Sequence, residues 1–155
     1  MGKTIDITRA AVIAGLIAGT IDIGAAALIN HVGPALILQG IASGLIGMKS
    51  YAGGAGTVTL GLMLQLAMSI AIAGIYAAAA TRIAWLCSRP VLAGLAFGLG
   101  VFVVMNMIVV PLSAFGPKPA HISLVWLLLN VLAMLVFGVI VATIVRWGLR
   151  RAVAG

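Results

Sequence analysis

Four stretches of this 155-residue chain, Ala10 to Leu28, Thr57 to Ala80, Val91 to Ala114 and Ile122 to Val145, are long, apolar and nearly free of charge. Each reaches the roughly 20 residues that a helix needs to cross the hydrocarbon core of a bilayer. Hydrocarbon offers a peptide backbone no hydrogen-bond partner, so each stretch must satisfy its own backbone as a helix. Spans are accordingly expected at about residues 10–30, 57–81, 91–114 and 122–146, in one all-α bundle covering residues 1–155. Composition agrees: 64% of the residues are hydrophobic and 7% charged, whereas a soluble domain has roughly a quarter charged. A soluble enzyme and a nucleic-acid-binding module are thereby excluded, and the net charge of +7 concerns topology instead.

A fifth apolar segment, residues 34–48, is too short to span and contains Gln39, Ser43 and several glycines. It suits a re-entrant or interfacial helix on the outer side. Lys3, Arg9, Arg82, Arg89, Arg146, Arg150 and Arg151 then fall on one face of the membrane, with Lys49 and Lys118 on the other. Making the short segment a true crossing would erase this asymmetry. The positive-inside rule therefore places both termini in the cytoplasm, in a bacterial inner membrane. Trp85 and Trp147 near the inner boundary, and Tyr51, Phe115 and Trp126 near the outer one, form the expected aromatic belts. The first span is too long for the apolar region of a secretory signal, and the later spans need its orientation, so it is expected to be retained. Cys87, the one cysteine, has no disulfide partner.

Helical spacing assigns faces. Gly15, Ala18, Gly19, Asp22, Ala25 and Ala26 share one unusually small side of the first span, turned toward protein, while Ile13, Leu16, Ile17 and Leu28 point to lipid. Gly61, Gln65, Met68, Ser69, Ile72 and Tyr76 form a polar stripe on the second. The third opens with Pro90 and offers Gly94 and Gly98 for close packing. Pro111 should kink or end it. Gly40 and Gly44 make a similar surface on the short segment, and Asn130 lies on the fourth span.

Counting about 1.5 Å per residue from the outer ends puts Asp22, Gln65, Asn106 and Asn130 roughly 10–15 Å below the outer boundary, with Gln39 able to join them. Two readings follow. Such side chains can be interhelical glue, or they can form a pocket around Asp22, since an ionisable group inside a membrane costs several kcal/mol unless paired, hydrogen-bonded or neutralised. Lys49 is the nearest candidate ion partner. His31 and His121 both belong at the outer boundary, yet no metal-ligand spacing accompanies them, and no metal or cofactor is expected. The methionines suit core filling better than copper ligation. No nucleophile elbow, zinc-binding helix motif or phosphate loop occurs, so an enzyme is not expected.

The runs AGTIDIGAA around Asp22, LQGIASGLIG from Leu38 to Gly47 and VMNMIVVPLSA from Val104 to Ala114 resemble a group of small, uncharacterised four-span bacterial inner-membrane proteins. GLAFGLGVFVVMNMIVVPLSAFGPKP also resembles the third-span region of YagU-like proteins. The resemblance implies an acidic residue after Gly-Thr in the first span and an Asn before a Pro-Leu-Ser turn in the third, here Asp22 and Asn106, while Gln65 departs from the histidine that similar proteins often carry. On balance the sequence points to an accessory or structural subunit, associating with other membrane proteins or itself through its small-residue faces. The alternative is a small channel or transporter that binds a proton, cation or small solute at Asp22.

Overall fold

A computed structural model of the chain describes residues 2–114 and 123–154, with side chains described over 6–114 and 123–150. His121, Lys118 and Phe115 lie outside the described residues, as do the side chains of Lys3 and Arg151. The elements are helices α1 (Gly2–Asn30), α2 (Pro34–Ile46), α3 (Gly54–Ala80), α4 (Ala84–Ser88), α5 (Pro90–Val104), α6 (Val110–Leu112) and α7 (Leu124–Ala154). A 3₁₀ turn (Gly47–Ala52) follows α2, and a π turn (Met105–Val109) joins α5 to α6. Among the described residues there is no strand, and four helical segments are long and apolar enough to cross a membrane: Asp6–Asn30, Gly54–Ala80, Pro90–Leu112 and Leu124–Arg150. The expected spans are all present, and the chain is a multi-pass membrane protein. The main differences lie at the two ends of the chain, where the first helix begins eight residues before the expected start at 10 and the last runs eight residues past the expected end at 146. The short segment is helical over Pro34–Ile46.

The residues that punctuate these helices act as their chemistry requires. Pro34 and Pro90 occupy first-turn positions, where the missing N–H has no helical partner to lose. Pro111 does not stop its helix at once. Its ring crowds the carbonyl four residues earlier, that of Met107, and the preceding turn widens until the Val110 N–H bonds the Met105 carbonyl, five residues back. The helix ends soon after, at Ser113.

Packing order follows from the small residues. α1 packs along α3 on one side and α7 on the other, α5 packs on α7, and α2 lies on α3. A Cβ at Gly94 would stand 2.6 Å from the Cα of Val139, one at Gly98 would collide with the Met134 carbonyl, and one at Gly138 with the Gly94 carbonyl. Gly15 meets the backbone of Ile70 in the same way, Gly61 that of Leu38, and Gly148 the Cβ of Ala10. The last contact also sets the end of α7 beside the start of α1, so the two termini emerge at one end of the bundle. Gly40 has only an ordinary contact with the Tyr51 hydroxyl, and Gly44 serves through its carbonyl, which accepts the Ala114 N–H at 2.8 Å.

With backbones this close the core needs little bulk. It consists of Ala11, Ala14 and Ala18 from α1, Ala73, Tyr76, Ala77 and Ala80 from α3, Ala93 from α5, and Phe137, Val141, Ala142 and Val145 from α7. Large apolar side chains such as Ile13, Met63, Leu99 and Leu128 point outward, the inverse of a soluble bundle and what a lipid solvent permits.

These contacts give a paired test. Gly98→Leu should destabilise the bundle by at least roughly 2 kcal/mol, since overpacking a filled site commonly costs about 1–3 kcal/mol and here the obstacle is backbone. Gly100→Leu, where a Cβ meets nothing within 4 Å, should leave the unfolding midpoint in detergent close to that of the parent protein. Equal effects of the two would contradict this packing.

Candidate functional site

Asp22 is brought to its partner by a register that small residues create. Following α1 forward and α3 backward along the chain, Gly15 faces Ile70, Gly19 faces Ser69, and Asp22 faces Gln65. A Cβ on Gly19 would stand 2.5 Å from Ser69 Oγ, so only a glycine there lets the helices approach far enough for the next polar pair to meet. Gln65 Nε2 then donates to Asp22 Oδ2 at 2.9 Å. Gln65 and Ser69 are buried, and Asp22 is half-buried. Eight residues from the end of α1, Asp22 sits about 12 Å below it. Of the five residues expected at one depth, these are the two that meet.

The other three side chains turn to nearby backbone. Asn106 Nδ2 donates to the Phe102 carbonyl at 3.0 Å and Asn130 Nδ2 to the Trp126 carbonyl at 2.7 Å, both one turn back along their own helices. Gln39 Nε2 makes a long contact of 3.5 Å to the Gly54 carbonyl. Lys49 is exposed on the 3₁₀ turn, and among the described residues no ion pair joins it to Asp22. Gln65 Nε2 is the one described hydrogen-bond donor to that carboxylate.

On the side of Asp22 away from α3, a cavity of about 260 Å³ opens between α1 and α7. Among the described residues Asp22 is the one polar side chain in its lining; Ala18, Ile21 and Ala25 of α1 face Leu129, Leu132 and Phe137 of α7 across it. Toward the outer end the two helices are tied by Trp126 Nε1, which donates to Asn30 Oδ1 at 3.0 Å, while Asn30 Nδ2 donates to the Ala26 carbonyl. Sequence reasoning placed Trp126 in the outer belt but missed its tie to Asn30 and the whole α7 wall. A leucine-rich helix carries no mark of which leucines face a cavity and which face lipid.

This lining limits the chemistry. Calcium or magnesium takes six or more oxygen ligands, and one carboxylate in an apolar wall supplies at most two. Among the described residues no group of three or more His, Cys, Asp or Glu side chains could hold a metal. What fits is a proton, or an organic ammonium whose charge meets Asp22 and whose carbon substituents meet the apolar wall.

His31 has a backbone task. It adopts a left-handed conformation, φ 54°, at the end of α1; its N–H bonds the Leu28 carbonyl at 3.3 Å, and the Val32 N–H bonds the Ala27 carbonyl at 3.1 Å. These two bonds form the Schellman closure, in which glycine is the usual residue. No family model, curated protein or solved structure matches the chain.

His31→Gly should therefore stabilise the protein slightly. Relief of a left-handed cost of roughly 1–2 kcal/mol outweighs the roughly 0.5–1 kcal/mol of extra chain entropy that glycine loses on folding. A higher thermal midpoint in detergent is the expected result, and a clear fall would show that the imidazole itself has a task.

Proposed function

We propose that the protein is a small membrane transporter or channel, with both termini in the cytoplasm of a bacterial cell, that binds a proton or a small organic cation at Asp22. The observation that carries this reading is a carboxylate with one hydrogen bond, set in the wall of an apolar cavity inside the membrane span. A carboxylate there is costly unless its charge is neutralised. A proton and an ammonium ion do this equally well and cannot both occupy it. One-for-one exchange keeps the site neutral, which is the requirement for moving either species through hydrocarbon. Gln65 holds one oxygen from α3 and leaves the carboxylate turned to the cavity between α1 and α7. On this reading α2, packed on α3 at the outer end, dips into the membrane as a re-entrant cover.

The accessory-subunit reading rested on the small-residue faces. Gly15, Gly19, Gly94 and Gly98 meet backbone or side chains of the same chain. The feature that favoured an external partner thus favours a self-contained bundle.

A direct test uses the purified protein in lipid nanodiscs with benzyltrimethylammonium as the probe. Calorimetry in two buffers of different ionisation enthalpy should show saturable binding with release of one proton per cation. Binding should weaken by up to about tenfold per pH unit of acidification while the carboxylate is protonated. Asp22→Asn should abolish binding with the particle size unchanged, and Gln65→Leu should weaken it. If Asp22→Asn instead loses the folded particle and the parent protein binds no cation, the residue is glue. Purification as a stoichiometric complex with another protein would restore the accessory reading.

A further inference from the structure

α3 and α5 lie side by side without packing closely on each other; the most extensive packing is of α1 on α3, α1 on α7, α5 on α7 and α2 on α3. Toward the inner end the two are joined by Tyr76 and Phe97, whose rings meet edge to face with centroids 4.9 Å apart and an interplanar angle of 64°. Toward the outer end the chain just beyond α6 is tied to α2 by the Ala114 N–H to Gly44 carbonyl bond, and α2 rests on α3. Between these closures a recess of about 320 Å³ remains, lined by Met68, Ile72 and Ile75 from α3 and by Gly100, Val104 and Val109 from α5 and its π turn. Among the described residues no polar side chain lines it.

What fills this space is narrowed by chemistry. Water needs two to four polar partners and finds none here. Its apolar lining offers a partner helix neither a hydrogen bond nor a charge to recognise among the described residues. A flexible hydrocarbon chain can thread it. At the outer junction a Cβ at Gly47, whose φ is 70°, would stand 3.9 Å from the Ala114 carbonyl, and Lys49 follows two residues later. Lys49 is exposed and pairs with no acidic side chain among the described residues. An anionic headgroup at the lysine and a chain in the recess would satisfy both features. We infer that the α3–α5 recess is a phospholipid site, holding one acyl chain of an anionic lipid of the outer leaflet whose phosphate is met by Lys49.

The site is independent of Asp22 and stands or falls apart from the proposed transport. It is tested by native mass spectrometry of the protein released from its membrane in mild detergent, followed by lipid extraction. One phospholipid per chain, predominantly anionic, is expected on the parent protein. Gly100→Phe and Ala71→Leu fill the recess from opposite walls, and at Gly100 a Cβ meets nothing within 4 Å. Both should lower lipid occupancy at least tenfold. Gly24→Phe, at another open position away from the recess, should leave occupancy unchanged. Lys49→Gln should retain a lipid but shift it from anionic toward zwitterionic species. The inference is overturned if the parent protein carries no lipid, if Gly24→Phe displaces it as readily as Gly100→Phe, or if the mass lost on filling the recess is a second protein chain. An unchanged headgroup preference in Lys49→Gln would overturn the assignment of the phosphate to the lysine.

Discussion

The bundle depends on helix backbones approaching until a carbonyl of one helix occupies the place of a side chain on the next. Between α5 and α7 this happens where Gly94 and Gly98 meet Gly138 and its neighbours, and between α2 and α3 where Gly61 meets the Leu38 carbonyl; between α1 and α3 the Ile70 backbone at Gly15 and the Ser69 side chain at Gly19 take that place. In hydrocarbon there is no hydrophobic gain from merely bringing apolar helices together, so close packing must supply the attraction. Dispersion falls off steeply with distance, and a shaved surface lets many atom pairs reach contact at once. An alanine-rich core is the result, with the bulky residues left to the lipid.

The same approach decides the fate of polar side chains. Thr20, Asn30, Asn106, Asn130 and Thr143 each donate to a carbonyl four residues back in their own helix, so lipid-buried donors need no second helix. An ionised aspartate has no proton to donate and cannot use this route. Asp22 must find a donor elsewhere, and Gln65 reaches it only because Gly19 and Ser69 let α1 and α3 close together one turn below. This difference between acceptor-only and donor side chains explains why, of the five polar residues at one depth, Asp22 and Gln65 are the two that pair with each other among the described residues. It also singles out the group that the rest of the bundle leaves incompletely satisfied beside an apolar cavity.

α2 and the π turn add a second departure from a plain four-helix packing. Pro111 widens the helix above it and lets the outer end of the third span bend toward α2, where Ala114 finds the Gly44 carbonyl. Because α3 and α5 touch through a ring pair and diverge elsewhere, they leave a slot that protein side chains do not fill. The Asp22 cavity and this slot lie in different helix pairs and differ in kind: one carries a carboxylate, the other is wholly apolar.

Much of the architecture was already legible in the order of residues. Four uninterrupted apolar runs admit few states besides spanning helices, because an unsatisfied backbone in lipid is prohibitively costly. Spacings of three and four placed Gly61, Gln65, Ser69 and Tyr76 together on the buried side of α3, and Gly15, Ala18 and Gly19 on that of α1. Charge asymmetry orders the ends, and both termini do lie at one end of the bundle. Depth was legible too, but depth is a single coordinate: it brought Asp22 level with Gln65 and also with Asn106 and Asn130, whose amides donate one turn back along their own helices. Which helices are neighbours, which leucines of α7 wall a cavity, and that Asn30 receives Trp126 were decided by tertiary packing alone. The reason is physical. A helix in lipid satisfies its backbone and chooses its lipid-facing side from local periodicity, whereas its neighbour and register follow from the fit of two surfaces distant in the chain, which no local pattern encodes.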